Sequence, residues 1–397
     1  MVTGSSRNEM LGDPERSALA AREAMASKSF HPYPWYSPRF WHGMRFGDWM
    51  KLVIEHRFRI HPARIPMAVL LGGITPINSF LAACQSLIHG KRLASTDVTE
   101  PPVFIIGHWR SGTTLLHELL AVDERFASPN TYECFAPHHC LLTSSLFPLI
   151  FGILLPKNRP MDNMVAGWKM PQEDEFALLT LGAPTPYRRM AFPNCQPADS
   201  ELIDMEGVSC EQLQRWQEAM EYFVKLLTYR YDKRVLLKSP PHTGRIGFLA
   251  ELFPGAKFIH IARDPYAIFP STRRLWYALD AAQACQKPHH RQTDEYIMSC
   301  FERMYSAFFQ QREELAPDQI GYVRYEDLVA DPVSQIERLY DELQLGDFEV
   351  VSSIIREQAK ARAGYRPNRH ELPEDLRRQI NQRWADYFDA FGYTVQE

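Results

Sequence analysis

The chain has 397 residues, 45% of them hydrophobic, with eight Trp and a formal net charge of −4. Such a length and composition support a packed core, in one large α/β domain with elaborations or in two domains. The acid excess gives no general attraction for DNA or RNA, so nucleic acid is not an expected partner.

Seven cysteines without a C-x-x-C pair speak against a zinc site or a complete disulfide framework, and they read as buried thiols in a reducing compartment. Residues 1–29 are polar and helix-prone without an apolar h-region, so no secretory signal is visible and a cytoplasmic protein is expected. An aromatic, proline-rich entry follows, HPYPWYSPRFWHGM, and then a mixed helical segment from Phe46 to Arg59. Its aromatics suit core packing, or an arm around the main domain, better than a substrate-facing wall. From Ile65 to Ile88 the chain is apolar, but Gly72, Gly73, Pro76, Asn78 and Gln85 interrupt it. Two packed or interfacial helices fit that stretch better than a membrane span.

Val103 to Ile106 reads as a buried parallel strand, followed by a glycine-bearing turn and a helix opening at Thr113. The backbone N–H groups of Ser111, Gly112, Thr113 and Thr114 lack intrahelical partners there, which suits an anion. Gly107, Gly112 and Thr114 match the G-x4-G-K-[ST] nucleotide loop, but Thr113 holds the lysine position and the cation has moved to Arg110. Without that lysine the loop is poorly suited to the β/γ-phosphates of ATP, whereas Arg110 can fork onto one phosphate or sulfonate. The run R-S-G-T-T after a strand closely resembles the 5′-phosphosulfate loop of sulfotransferases, which use 3′-phosphoadenosine 5′-phosphosulfate (PAPS) as sulfonate donor. The plainer alternative is a glycine turn that ends a core strand.

A second apolar run, Leu141 to Leu155, is too short for a bilayer crossing and is broken by Pro148 and Gly152. It reads as a greasy acceptor channel, a monotopic membrane contact or a buried helix pair. Arg234 to Leu237 reads as another buried strand leading into Lys238-Ser239-Pro240-Pro241-His242, a helix from about Thr243 to Phe253, and a strand from Lys257 to Ile261. That is a βαβ unit. Arg263 at the end of the strand, and Ser271 about two turns into the next helix, are spaced to converge on one phosphate.

The run F-I-H-I-A-R-D-P-Y-x4-S resembles the 3′-phosphate motif of sulfotransferases, and R-Y-E-D-L-x-x-D-P resembles a segment further down the same family. The resemblance implies that Arg263 and Ser271 grip the 3′-phosphate and that Tyr325 lies against the adenine; otherwise Tyr325 simply caps a core strand. Asp331-Pro332 starts an amphipathic helix with Val333, Ile336, Leu339, Tyr340 and Leu343 on one face. A late basic loop, 363–370, offers Arg366 and Arg369 as donor ligands, although the family's R-K-G-x-x-G form is absent.

Sulfonyl transfer to an alcohol needs a base for the acceptor proton and a stabiliser for the leaving phosphate, and no metal is intrinsically required. Candidates for the base are Glu133, Glu173 and Glu175, with His108 and His242 as histidine alternatives. Acids in a first helical turn are also ordinary capping groups. Carbohydrate and tyrosyl sulfotransferases of the arginine-loop type use a glutamate placed somewhat like Glu133. Lys238, at a strand's carboxyl end, is placed to neutralise the bridging oxygen, as a lysine does in the tyrosyl enzymes. His138-His139 and His289-His290 read as surface or loop pairs without a third ligand, so no metal site is expected.

The resemblance covers roughly residues 101–345 and is closest to bacterial sulfotransferases of the arginine-loop type. The expected architecture is α/β, a P-loop-like parallel β-sheet flanked by helices with helical N-terminal and mid-chain additions. Residues 1–100 are expected as an aromatic-rich helical extension packed on the main domain, and 101–397 as the sulfotransferase-like domain with an apolar acceptor insertion at about 135–200. The expected reaction is transfer of the PAPS sulfonyl group to a hydrophobic or lipid-like alcohol, although the arginine loop equally suits a sugar hydroxyl. A small-molecule kinase and a non-catalytic, membrane-associated nucleotide-binding module remain as rivals, and oligomerisation and peripheral contact with the inner membrane surface stay open.

Overall fold

The computed structural model describes residues 33–396 except 35, 148, 150–154, 156–166, 198 and 363–371. Five short apolar runs form a parallel sheet: β1 Val103–Ile106, β2 Phe126–Ala127, β3 Arg234–Lys238, β4 Lys257–Ala262 and β5 Ile320–Arg324, in the order β2-β3-β1-β4-β5. The central strand is apolar on both faces because both are covered. Val103 and Ile105 belong to one hydrophobic cluster, and Phe104 and Ile106 to the other. The longer helices are α1 Phe46–Glu55, α2 Ile65–Ala94, α3 Thr113–Leu120, α4 Asp174–Thr180, α5 Cys210–Tyr231, α6 Ile246–Leu252, α7 Pro265–Gln283, α8 Thr293–Gln311, α9 Pro332–Leu343, α10 Glu349–Arg362, α11 Glu374–Arg383 and α12 Ala385–Phe391.

The topology positions the site. From β1 the chain leaves towards β2 on one side of the sheet and later returns through β4 on the other, so a crevice opens at the carboxyl end of β1. Ile105 pairs with Lys238 of β3 and with Ile259 of β4, which sets the turns after these three strands side by side. β3 and β4 are therefore not the adjacent strands of a simple βαβ unit, because β1 lies between them.

Several expectations need correction. Residues 65–94 form one continuous helix, not two. Pro76 removes one N–H from its ladder, but the buried Thr75, Asn78 and Gln85 hold both halves against the same support. His138 and His139 are interior residues, bonded to Thr180 O and Thr143 Oγ1 at 2.6 and 2.9 Å. The thiols are free, but only Cys134, Cys140, Cys285 and Cys300 are buried, while Cys210 is exposed. The aromatic entry packs inward as expected, with Trp41 fully buried and donating to Gln283 O and Phe40 stacked on Phe176 of α4 at 3.8 Å, although Tyr36 stays half exposed. Much of the second apolar run, and the basic loop with Arg366 and Arg369, lies outside the described residues.

Candidate active site

The loop between β1 and α3 turns on two glycines with positive φ. Gly107 (φ +140°) sits so close to β4 that a Cβ would lie 2.5 Å from Ile261 O, and Gly112 (φ +111°) so close to Tyr325 that a Cβ would meet its ring. Thr243, just after β3, accepts the Gly107 N–H at 2.7 Å and ties the loop to its neighbour. Arg110 is itself left-handed (φ +70°), a conformation that costs a non-glycine residue energy and is held by its surroundings. Its Nε donates to Ser271 Oγ at 3.0 Å, and its carbonyl accepts from Arg263 Nη1 at 2.9 Å. The Arg263 guanidinium lies 4.2 Å from the Tyr325 ring centre, and Tyr387 bonds both backbone groups of Arg263. Arg110, Arg263, Ser271 and Tyr325, distant in sequence, are thus brought to one side of the loop.

At the carboxyl end of β3, next to β1, stands a helix that opens with acids. Glu173 is the N-cap residue of α4; its Oε1 is 2.7 Å from Lys238 Nζ, and its Oε2 accepts from Tyr187 Oη at 2.6 Å. Trp109 Nε1, inside the loop, donates to the same Tyr187 oxygen at 2.8 Å. Burial first, and then the Glu173 charge, push the Tyr187 phenol well above its ordinary value, so it remains a neutral donor. The side chain of Glu173 keeps 17% of its exposure, whereas Asp174, Glu175 and Glu133 are sealed at 0, 0 and 1%.

Those sealed acids are committed elsewhere. Asp174 meets His242 Nε2 at 2.5 Å; burial is the largest influence and opposes its charge, but His242, together with bonds from its own backbone and Ser239, holds the carboxyl below its usual range. Glu175 takes two bonds from Arg245, at 2.9 and 3.2 Å, and one from Thr185. Glu133 forms a capping box with Asn130 and an ion pair with Arg230, and burial raises its pKa. His108, which the sequence put forward as a base, is enclosed among Trp109, Phe301 and Trp384 and pushed down to about 3 by burial.

Tyr187, Trp109, Thr243 and Arg245 were not anticipated. Tyr187 lies in the short 3-10 turn Pro186–Met190, 14 residues along the chain from Glu173, and is joined to it in space, so the sequence carried no signal for it.

The sulfotransferase family model matches residues 101–349. The chain is 42% identical over 359 residues to the ω-hydroxy-β-dihydromenaquinone-9 sulfotransferases Stf3 of Mycobacterium bovis and Mycobacterium tuberculosis, covering 90% of this chain and 92% of each relative.

This chain belongs to the sulfotransferase family.

Its fold is similar to the crystal structure of sulfotransferase STF9 from Mycobacterium avium, with a TM-score of 0.65 at 17% identity over 100% of this chain and 99% of that one. It is also similar to STF1 of Mycobacterium tuberculosis, with a TM-score of 0.59 at 15% identity over 96% and 100% of the two chains. Membership decides against the kinase and the non-catalytic alternatives. The residues present also fit a bulky anionic donor. Ser111 Oγ is buried with no partner among the described residues. The amides of Gly112, Thr113 and Thr114 open α3 at the same place, whereas the Ser111 N–H, counted with them from the sequence, is bonded to His108 O at 3.0 Å.

Proposed function

We propose that this sulfotransferase transfers the sulfonyl group of PAPS to the hydroxyl of an apolar, isoprenoid-quinone-like alcohol, with Glu173 as the general base. In this reading Arg110, Ser111 and the amides of Gly112, Thr113 and Thr114 hold the phosphosulfate. Arg263 and Ser271 hold the 3′-phosphate, and Tyr325 holds the adenine. PAPS supplies an activated sulfonyl group on a phosphosulfate anhydride.

The chain's own groups supply the rest. Glu173 takes the acceptor's hydroxyl proton on a carboxylate oxygen, with Tyr187 fixing the other oxygen. Lys238 Nζ keeps a positive charge at the crevice floor, where the leaving phosphate gains negative charge. The observation that carries the assignment is the contrast in exposure and pairing along residues 173–175. Only Glu173 is both open and in contact with the strand-end lysine. The acceptor class rests on the 42% identity to an enzyme named for a hydroxylated menaquinone.

The test is transfer of radiolabelled sulfonate from PAPS to an ω-hydroxylated isoprenoid quinone, a short water-soluble alcohol and a sugar. Label entering the isoprenoid compound fastest is the expected result. Transfer confined to the sugar overturns the acceptor class, and no transfer from PAPS to any of the three overturns the donor.

A further inference from the structure

Helix α2 is built inside out. The stripe that faces the protein is largely polar: Thr75, Asn78 and Gln85 are buried there along with Leu71 and Leu93. Each polar group is satisfied. Asn78 Nδ2 donates to His42 O and Met44 O at 2.6 and 2.9 Å, and Thr75 Oγ1 donates to Leu71 O. Gln85 Nε2 donates to Pro137 O and Tyr222 Oη, while its Oε1 accepts the Leu141 N–H. At 3.6 residues per turn, the opposite side carries Val69, Ile77, Phe80, Leu87 and Ile88. All five are exposed, Phe80 to 68% and Leu87 to 86%. Leu146 and Leu149, just beyond the short helix that meets Gln85, are exposed to 60 and 82%. A continuous apolar face of this kind marks an interaction surface, not a water-facing one.

Charge selects the occupant. Between Glu55 and Asp97 there is no acidic residue, whereas Arg57, Arg59 and Arg64 stand at one end of the helix and Lys91 and Arg92 at the other, in a chain of net charge −4. Basic ends around an apolar face match an anionic bilayer, with headgroups at the ends and acyl chains between. By length and composition the helix could cross a membrane, but Asn78 and Gln85 bind its middle to the domain along one side, so it lies in the interface. A second copy of this chain fits less well, because two-fold antiparallel pairing sets basic ends against basic ends.

We propose that α2 seats the enzyme on the surface of an anionic phospholipid bilayer, apolar face down. The inference stands on the helix and not on the identity of the acceptor. Segment 131–143 lies between α2 and the acid helix, joined to the one through Gln85 and Pro137 and to the other through His138 and Thr180. A lipid-like acceptor therefore enters close to where it dissolves.

The experiment is flotation of the full chain with vesicles of phosphatidylcholine, with and without phosphatidylglycerol, over rising salt. Wild type floats with the anionic vesicles and is released by salt. The double variant Phe80→Asp and Leu87→Asp stays at the bottom while its melting temperature and its turnover of a water-soluble alcohol are unchanged. Combined Arg57→Gln, Arg59→Gln and Arg64→Gln weakens binding on the order of a hundredfold. No flotation of wild type, equal flotation of the aspartate variant, or equal flotation on neutral vesicles overturns the proposal. A dimer that Phe80→Asp splits, without vesicle binding, assigns the face to a second copy instead.

Discussion

Among the acids near the loop, Glu173 alone combines residual exposure with a contact to Lys238, and that difference predicts different phenotypes for neighbouring residues. Glu173→Gln keeps the size of the side chain but loses the proton acceptor, so kcat should fall by about 10²- to 10⁴-fold. Calorimetric affinity for adenosine 3′,5′-bisphosphate should not change. Glu175→Gln leaves the fully buried Arg245 without its carboxylate and should cost roughly 3–5 kcal/mol of stability, read as a lower melting temperature. If the two variants lose kcat equally and melt alike, Glu173 is not the base. On the donor side, Arg263→Ala should weaken adenosine 3′,5′-bisphosphate by roughly 1.5–3 kcal/mol, the worth of a charge-assisted contact, and AMP by much less. Equal losses for both ligands would contradict the 3′-phosphate assignment. That Arg110, Arg263 and Ser271 meet beside one loop was legible because strand, turn and helix start fix their places locally, while Tyr325 was singled out by family resemblance alone. Choosing among Glu133, Glu173, Glu175 and His108 was beyond it, since burial and pairing with Arg230, Arg245 or the rings around His108 are set by segments far along the chain.

The loop between β1 and α3 keeps its shape only while β4 can approach it. Gly107→Ala would place a methyl 2.5 Å from Ile261 O, a backbone atom fixed in the sheet, and 2.8 Å from Ser111 Oγ, at a φ that alanine resists. The expected outcome is a stability loss of about 1–3 kcal/mol and donor binding weakened by more than about tenfold as the loop shifts. Melting curves and nucleotide titration measure the two effects, and wild-type affinity in the variant would show that the close approach is dispensable. At this scale β1, β3 and β4 were legible as apolar runs, α4 from its leading acids and α9 from its amphipathic period, whereas the two-residue β2 is too short to show a run of its own. Helix α2 was not read as one piece, because Pro76 and the glycines suggested a break, and the interaction that spans the break, Asn78 with the carbonyls of His42 and Met44, is tertiary. Its reversed polarity was hidden for the same reason. Periodicity shows that a helix has two faces but not which of them meets the protein.

Over the whole molecule, the interior encloses histidines beside the larger hydrophobic cluster and in the N-terminal layer, and this sets how the fold responds to acid. Burial pushes His108, His138 and His260 down to about 3, and His42 and His139 down to about 4. A histidine with a depressed pKa in the folded state gives stability that is fully present above its unfolded value of about 6.5 and is lost as pH falls towards 3–4, because only the unfolded chain takes up the proton. Each such group contributes a slope of roughly 1.4 kcal/mol per pH unit in that window. Asp280 acts in the opposite sense: burial, only partly offset by Arg189, raises its carboxyl to about 6, so below that pH the folded state holds a proton the unfolded chain has released. Burial likewise holds His290 down to about 4, and it raises Glu133 and Asp264 along with Asp280; among the described residues, six histidines against three carboxyls still leave acid as the net destabiliser. Denaturant midpoints should therefore drop steeply between about pH 6.5 and 5. His260→Phe, which keeps the stacking on Phe308 and Phe391, should flatten the profile by about one proton's worth, roughly 1.4 kcal/mol per pH unit. A stability profile that stays level from about pH 7.5 to 5 would show that these histidines gain water and protons without unfolding, and that the interior is more open than its packing implies.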